Sequence, residues 1–79
     1  MPTHIVALIV AIVSEHAAGR RVKRVRLAIG PLACVERPAL EFCWGLAADG
    51  TELAGAELVF VDAEKDTFLI KDYELEEAA

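Results

Sequence analysis

Apolar residues dominate the opening segment of the chain, residues 3–18. Isoleucine and valine are frequent there, which favours a strand. The length of the segment and the glycine at position 19 favour a helix that ends at that glycine, and we therefore predict a helix. On a helical wheel its apolar residues form two stripes, whereas a surface helix needs only one. The first stripe is Val6, Val10, Val13 and Ala17, and the second is Ile5, Leu8, Ile9 and Ile12.

Alternation of polar and apolar residues predicts a strand over residues 21–29, with Val25, Leu27 and Ile29 on one face. A glycine-proline pair ends this strand. A second helix begins near the proline at position 38 and closes at an aspartate-glycine pair. Its apolar residues recur at the spacing i, i+3, i+4, i+7 expected of a buried helix face. They are Leu40, Cys43, Trp44 and Ala47.

Two apolar stretches in the last third of the chain, residues 56–61 and 68–75, predict a β-hairpin. The polar residues 62–67 between them would form its turn. In the second stretch the parity of the apolar positions changes near Lys71 and Asp72, which predicts a β-bulge.

The predicted order of elements is helix, strand, helix, strand, strand, or αβαββ. The simplest packing is a three-stranded sheet with both helices on one face, which is an α+β two-layer sandwich. The chain shows no repeat, linker or low-complexity tract, so we expect one domain over residues 1–79, with residues 76–79 frayed. The core of a chain of 79 residues is marginal, and oligomerisation is a common remedy.

Charge is distributed unevenly in this chain, whose net charge is −5. Five of the eight basic residues lie within residues 20–26, where they include Arg21, Lys23, Arg24 and Arg26. Such a patch suits an anion or an acidic partner. Acids on the predicted hairpin offer cross-strand ion pairs instead, which we favour, and they are Glu57, Asp72 and Glu74. Because the overall charge is acidic, no nucleic-acid partner is expected.

The two cysteines, Cys34 and Cys43, lie nine residues apart. This spacing is not that of a zinc site, and two cysteines are too few for a disulfide scaffold. We interpret both as small buried side chains in a reduced compartment. The longest apolar run, residues 5–13, is shorter than the roughly 20 residues of a membrane span, and no basic segment precedes it. We therefore expect a cytoplasmic protein without a membrane partner.

Few residues are candidates for catalysis or metal binding. The chain contains no phosphate-binding glycine loop and no nucleophile motif, so we predict no enzymatic activity. His4 and His16 would lie about 18 Å apart along one helix, too far to share a metal ion. His4 is a weak candidate for a metal ligand, and the simpler interpretation is an exposed histidine.

The second apolar stripe of the first helix is the most informative feature. Its residues are Ile5, Leu8, Ile9 and Ile12. Little of the chain remains to cover them, and exposed apolar patches of this kind mark interfaces. We therefore predict a homo-oligomer that forms through these residues. The alternative is a second layer of the same domain that covers them.

The segment VKRVRLAIGPLACVERPALEFCWGLAADGTELAGAELVF resembles the N-terminal domain of the HypA-type hydrogenase nickel-incorporation metallochaperones, and the resemblance is specific over residues 22–61. The family pattern there runs like VxxVRLEIGxLSGVEPEALRFxFE and then GTxAEGAxLEI. The earlier segment ALIVAIVSEHA aligns with the family's first helix, and TFLIKDYELEE is similar to its last strand. The resemblance implies an αβαββ nickel-binding domain that delivers nickel during hydrogenase, and sometimes urease, maturation.

Three features depart from the family pattern. The family's nickel site is built on a Met-His-Glu start, whereas Pro2 and Thr3 hold those places here and His4 comes two residues later. The family's zinc domain, with two CxxC pairs, lies between its last two strands, where this chain has only residues 62–67. The family usually has polar residues at the positions of Ile5, Leu8 and Ile9, which are apolar here. By this resemblance we expect no zinc, and nickel only as an alternative.

Three functional hypotheses remain open. The departures favour a metal-free scaffold or assembly subunit, natural or engineered, that self-associates through its first helix. The second hypothesis is a minimal nickel metallochaperone for hydrogenase maturation that binds nickel weakly through His4. The third is an adaptor whose apolar face docks on a hydrogenase-maturation partner.

Overall fold

The computed structural model describes residues 2–76, with side chains from residue 4 onward, and it contains the five elements in the predicted order αβαββ. They are α1 (Pro2–Ala17), β1 (Val22–Ile29), α2 (Arg37–Ala48), β2 (Glu57–Asp62) and β3 (Phe68–Leu75). Met1 and the frayed ends predicted for residues 77–79 lie outside the described residues.

The three strands form a mixed sheet in the order β2-β1-β3. β1 is parallel to β2 and antiparallel to β3. The predicted hairpin between β2 and β3 is therefore wrong, because β1 lies between them. Parallel neighbours need a long crossover connection, and the segment that contains α2 supplies it between β1 and β2.

The short loop of residues 63–67 crosses the end of β1 and carries the chain from one edge of the sheet to the other. The amide of Gly30 donates to Thr67 O at 2.8 Å, and the amide of Leu32 donates to Lys65 O at 2.7 Å. On the other side of the crossing, the amide of Ala63 donates to Ile29 O at 3.1 Å. These hydrogen bonds hold the loop against the carboxyl end of β1.

β3 contains the predicted bulge. The register with β1 shifts between the pairs Arg26↔Asp72 and Leu27↔Ile70, which leaves Lys71 as the extra residue. The shift explains why the apolar positions change parity along β3. Four β3 side chains pack on the core across the bulge: Phe68, Ile70, Tyr73 and Leu75. A second shift lies near the start of β1.

Both helices pack on the same face of the sheet and share one core with it. The first stripe of α1 is buried, as are Val25, Leu27 and Ile29 of β1, as predicted. From α2 the core receives Leu40, Trp44 and Ala48. The Nε1 atom of Trp44 donates to Ala56 O at 2.9 Å. The sequence-derived fold class, two helices over a three-stranded sheet, is confirmed.

Loop residues 49–56 tie α1 to the start of β1. The Ser14 hydroxyl donates to the Glu52 carboxylate at 2.5 Å, and this bond lowers the pKa of Glu52. The amide of Val22 donates to Glu52 O at 2.9 Å. At the same end of β1, the amide of Glu76 donates to Arg21 O, so Glu76 is held where fraying was predicted.

Candidate functional site

His4 lies exposed in the first turns of α1. Positions 2 and 3, where the family pattern has its histidine and glutamate, lie outside the residues whose side chains are described. Between residues 2 and 76, no group of three or more His, Cys, Asp or Glu residues is placed to hold a metal ion. His16 is exposed in the last turn of the same helix, about 18 Å along the axis from His4. The two imidazoles of one chain are separate, as predicted.

The cysteines do not provide a zinc site within the described residues. Cys34 is exposed in the loop after β1, where its thiol contacts Leu32 O at 3.9 Å. Cys43 is half-buried on α2, and neither cysteine forms a disulfide. The prediction that both are buried is wrong for Cys34, because the loop that carries it lies outside the core. Two separate thiols do not fit a zinc site of four ligands such as the two CxxC pairs of the family's zinc domain.

The second stripe of α1 is only partly exposed. Leu8 and Ile12 are 51% and 45% exposed, whereas Ile5 is half-buried. Ile9 is only 6% exposed and belongs to the core, so its place in an exposed stripe is corrected. The physical reason is that the side of α1 that carries Ile9 faces β3, which the wheel alone does not reveal. A shallow groove of about 240 Å³ lies there, lined by Leu8, Leu27 and Phe68 among others.

A second exposed apolar surface lies on α2 and was missed by the sequence analysis. Phe42 and Leu46 are 63% and 72% exposed and lie one helical turn apart. Their i, i+4 spacing, outside the predicted core stripe of α2, is the signal that identifies such a surface. The two helices thus present separate apolar patches.

The basic residues of β1 are paired with acids on both neighbouring strands. The Arg24 guanidinium contacts Glu57 on β2 at 2.7 Å and Glu74 on β3 at 3.1 Å. The Arg26 guanidinium contacts both carboxylate oxygens of Asp72, at 2.6 and 2.5 Å. These are the cross-strand pairs that the sequence suggested.

The remaining part of the patch offers little to an external anion. Arg21 donates to Ala54 O at 2.8 Å and lies 3.6 Å from the Glu76 carboxylate. Lys23 is exposed, and no ion pair of it is found among residues 2–76. Arg21, Arg24 and Arg26 therefore bind carboxylate and carbonyl groups of this chain. An anion or partner site at these residues stays a prediction.

Comparison with protein families shows to which family the chain belongs, which the fold alone does not. The family of hydrogenase/urease nickel-incorporation metallochaperones, HypA, matches residues 2–68. The chain belongs to the HypA family. Members of this family are metallochaperones, and a metallochaperone is not an enzyme. No helix in residues 2–76 is long and apolar enough to cross a membrane.

Individual HypA proteins give the same result. The hydrogenase maturation factor HypA of Nostoc punctiforme is 46% identical over 54 residues, which cover 68% of this chain and 48% of that protein. HypA of Chloroflexus aurantiacus is 50% identical over 54 residues, covering 65% of this chain and 47% of that protein. The chain thus spans about half the length of the curated relatives it matches.

The fold is also that of a solved HypA. The solution structure of the Ni metallochaperone HypA from Helicobacter pylori superposes with a TM-score of 0.70 at 17% sequence identity. The match covers 98% of this chain and 70% of that one. At this identity the likeness shows the fold alone.

Proposed function

We propose that this chain takes up nickel for hydrogenase maturation, as a HypA-type carrier, and that His4 supplies an imidazole ligand to the ion. The observation that carries the proposal is the family match over residues 2–68, together with the αβαββ topology. Nickel is the cargo of such a protein. The match favours nickel delivery over the metal-free scaffold that the departures from the family pattern suggested.

The position of His4 supports the proposal chemically. An imidazole nitrogen suits Ni²⁺ among the first-row metals, and the His4 ring is exposed. The first turn of a helix carries a partial positive charge, which disfavours a bound cation. We therefore expect weak binding that depends on further donors. An exposed ligand at a helix end is also accessible to an acceptor protein, as delivery of the ion requires.

The test is calorimetric titration with Ni²⁺ of the wild-type chain, His4→Ala and His16→Ala. His16 is the matched control, because it is an exposed histidine at the other end of α1. We expect saturable binding heat for the wild type and for His16→Ala, and loss of that heat for His4→Ala. Circular dichroism would show that all three chains are folded.

Two results would contradict the proposal. Negligible heat for all three chains would remove nickel uptake as the function of this chain. Heat that survives in His4→Ala but disappears in His16→Ala would move the site to the other end of α1.

A further inference from the structure

We propose that a second copy of this chain docks on the exposed face of α1 in an antiparallel, two-fold arrangement that places Glu15 of one copy beside His4 of the other. The proposal concerns the apolar face that remains on α1 after Ile9 is assigned to the core. It does not depend on nickel, and its tests are made without added metal.

The exposed face of α1 has apolar residues in its middle and one polar residue at each end. Ala7, Leu8, Ala11 and Ile12 are all exposed, and none of them is charged. His4 and Glu15 lie at the two ends of this row and are also exposed. Eleven residues separate them, which is close to three helical turns, so they project on nearly the same line of the helix. Leu8 projects between them.

This order of residues complements itself when a second helix runs the opposite way. In a two-fold contact, residue i meets residue j and residue j meets residue i. With the axis at the level between Ile9 and Val10, Leu8 lies at the level of Ala11 of the second copy, and Ala7 lies at the level of Ile12. At this register each large apolar side chain meets an alanine, which allows the helices to approach closely.

The register is chosen by charge complementarity. An imidazole N–H donates to a carboxylate whether or not the ring is protonated. The axis that places Leu8 opposite Ala11 also brings His4 to the level of Glu15 of the second copy, at both ends of the contact. A parallel arrangement would instead place Glu15 beside Glu15. The net charge of −5 opposes association in general, but the middle of this face carries no charge.

The first experiment is sedimentation equilibrium of the chain with a chelator, from about 1 to about 300 µM protein. We expect a monomer–dimer equilibrium for the wild type. Leu8→Gln should weaken dimerisation about tenfold or more, because each dimer buries this half-exposed side chain twice. Leu46→Gln is the matched control, because Leu46 is a more exposed leucine on the other helix. It should leave the dimer unchanged.

The second experiment tests the register with a charge exchange. His4→Glu should weaken the dimer, because it places two carboxylates together, and the double variant His4→Glu with Glu15→Lys should restore it. Within one copy the two side chains lie about 16 Å apart along the helix, so the recovery reports a contact between copies. Circular dichroism checks that these surface variants remain folded.

Each other outcome overturns a stated part of the proposal. A monomer at every concentration removes the second copy and leaves the face to a different partner. A dimer that Leu46→Gln dissociates and Leu8→Gln does not lies on α2 instead of α1. A dimer sensitive to Leu8→Gln, but without recovery in the double variant, excludes the antiparallel register. Loss of nickel binding with an intact dimer would affect only the proposed function, and the reverse result only this inference.

Discussion

Arg26 and Asp72 form a two-pronged ion pair across β1 and β3, in which Nε and one terminal nitrogen of the guanidinium each donate to a separate carboxylate oxygen. The pair lies on the sheet face opposite the helices, since the neighbouring β1 residues Val25 and Leu27 point into the core. It also sits beside the bulge at Lys71. The hydrogen bond from Arg26 lowers the pKa of the Asp72 carboxyl.

The stability contributed by this pair should depend on pH in one direction. Because the pKa of Asp72 is lower in the folded state, its contribution is present above the ordinary aspartate value of about 3.9 and is lost as the pH falls through the folded-state pKa. Asp72→Asn should therefore destabilise the chain at pH 7, and this difference should shrink as the solution approaches about pH 2. Urea unfolding at several pH values measures it.

Asp62→Asn is the control for that series. The Asp62 side chain is almost fully exposed and lies 3.5 Å from Arg37. Ion pairs of this kind contribute little, so the substitution should change stability at pH 7 by less than about 0.5 kcal/mol. A loss in Asp72→Asn that stays constant over the whole pH range would show that the pair is not its cause.

The same ion pairs show what the sequence could have revealed about the sheet. Cross-strand partners for the β1 arginines were predicted on both later strands, at Glu57 and at Asp72 and Glu74. Arg24 meets Glu57 on one side and Glu74 on the other only if β1 is the central strand. The hairpin was favoured instead, because a short polar loop fits a hairpin turn and a crossing over β1 equally well. Local turn patterns do not distinguish the two.

Burial on the helices could be predicted only in part. The first stripe of α1 was predicted correctly, because its three valines project into the centre of the core. The fate of Ile9 depended on how far α1 leans toward β3, which is a tertiary relationship without a signature in the helical period. The exposed pair Phe42 and Leu46 was missed because single apolar residues on the solvent face of a helix are common and do not by themselves predict a patch. His4 was placed correctly as an exposed residue.

Gly30 should be intolerant of any side chain, because the loop that crosses β1 lies directly against it. A Cβ atom at this position would clash with the backbone carbonyl oxygens of Glu64 and Lys65. Backbone atoms cannot turn away as a flexible side chain can, so the loop itself would have to move. Gly30→Ala should therefore cost about 1–3 kcal/mol in the free energy of unfolding, measured by urea denaturation.

Gly45→Ala provides the opposite expectation in the same assay. Gly45 lies inside α2, and a Cβ atom there would meet nothing within 4 Å. Alanine is favoured over glycine within a helix, so this variant should be more stable by up to about 1 kcal/mol. If both alanine variants lost stability equally, the contact with the crossing loop would not explain the effect at Gly30.

Trp44 should stabilise the fold through its hydrogen bond as well as through its buried ring. The Nε1–H group of this residue donates to Ala56 O just before β2 begins, so it joins α2 to the start of an edge strand. Trp44→Phe keeps an aromatic ring but removes the donor and leaves a carbonyl without this partner. We expect a loss of about 1–3 kcal/mol, measured by urea unfolding with far-ultraviolet circular dichroism as the signal.

Phe42→Leu, on the exposed face of the same helix, should change stability by less than about 0.5 kcal/mol. Amide hydrogen exchange would locate the effect, since faster exchange confined to residues 53–60 indicates a loosened connection to β2. A Trp44→Phe variant as stable as the wild type would show that the bond is dispensable for the fold.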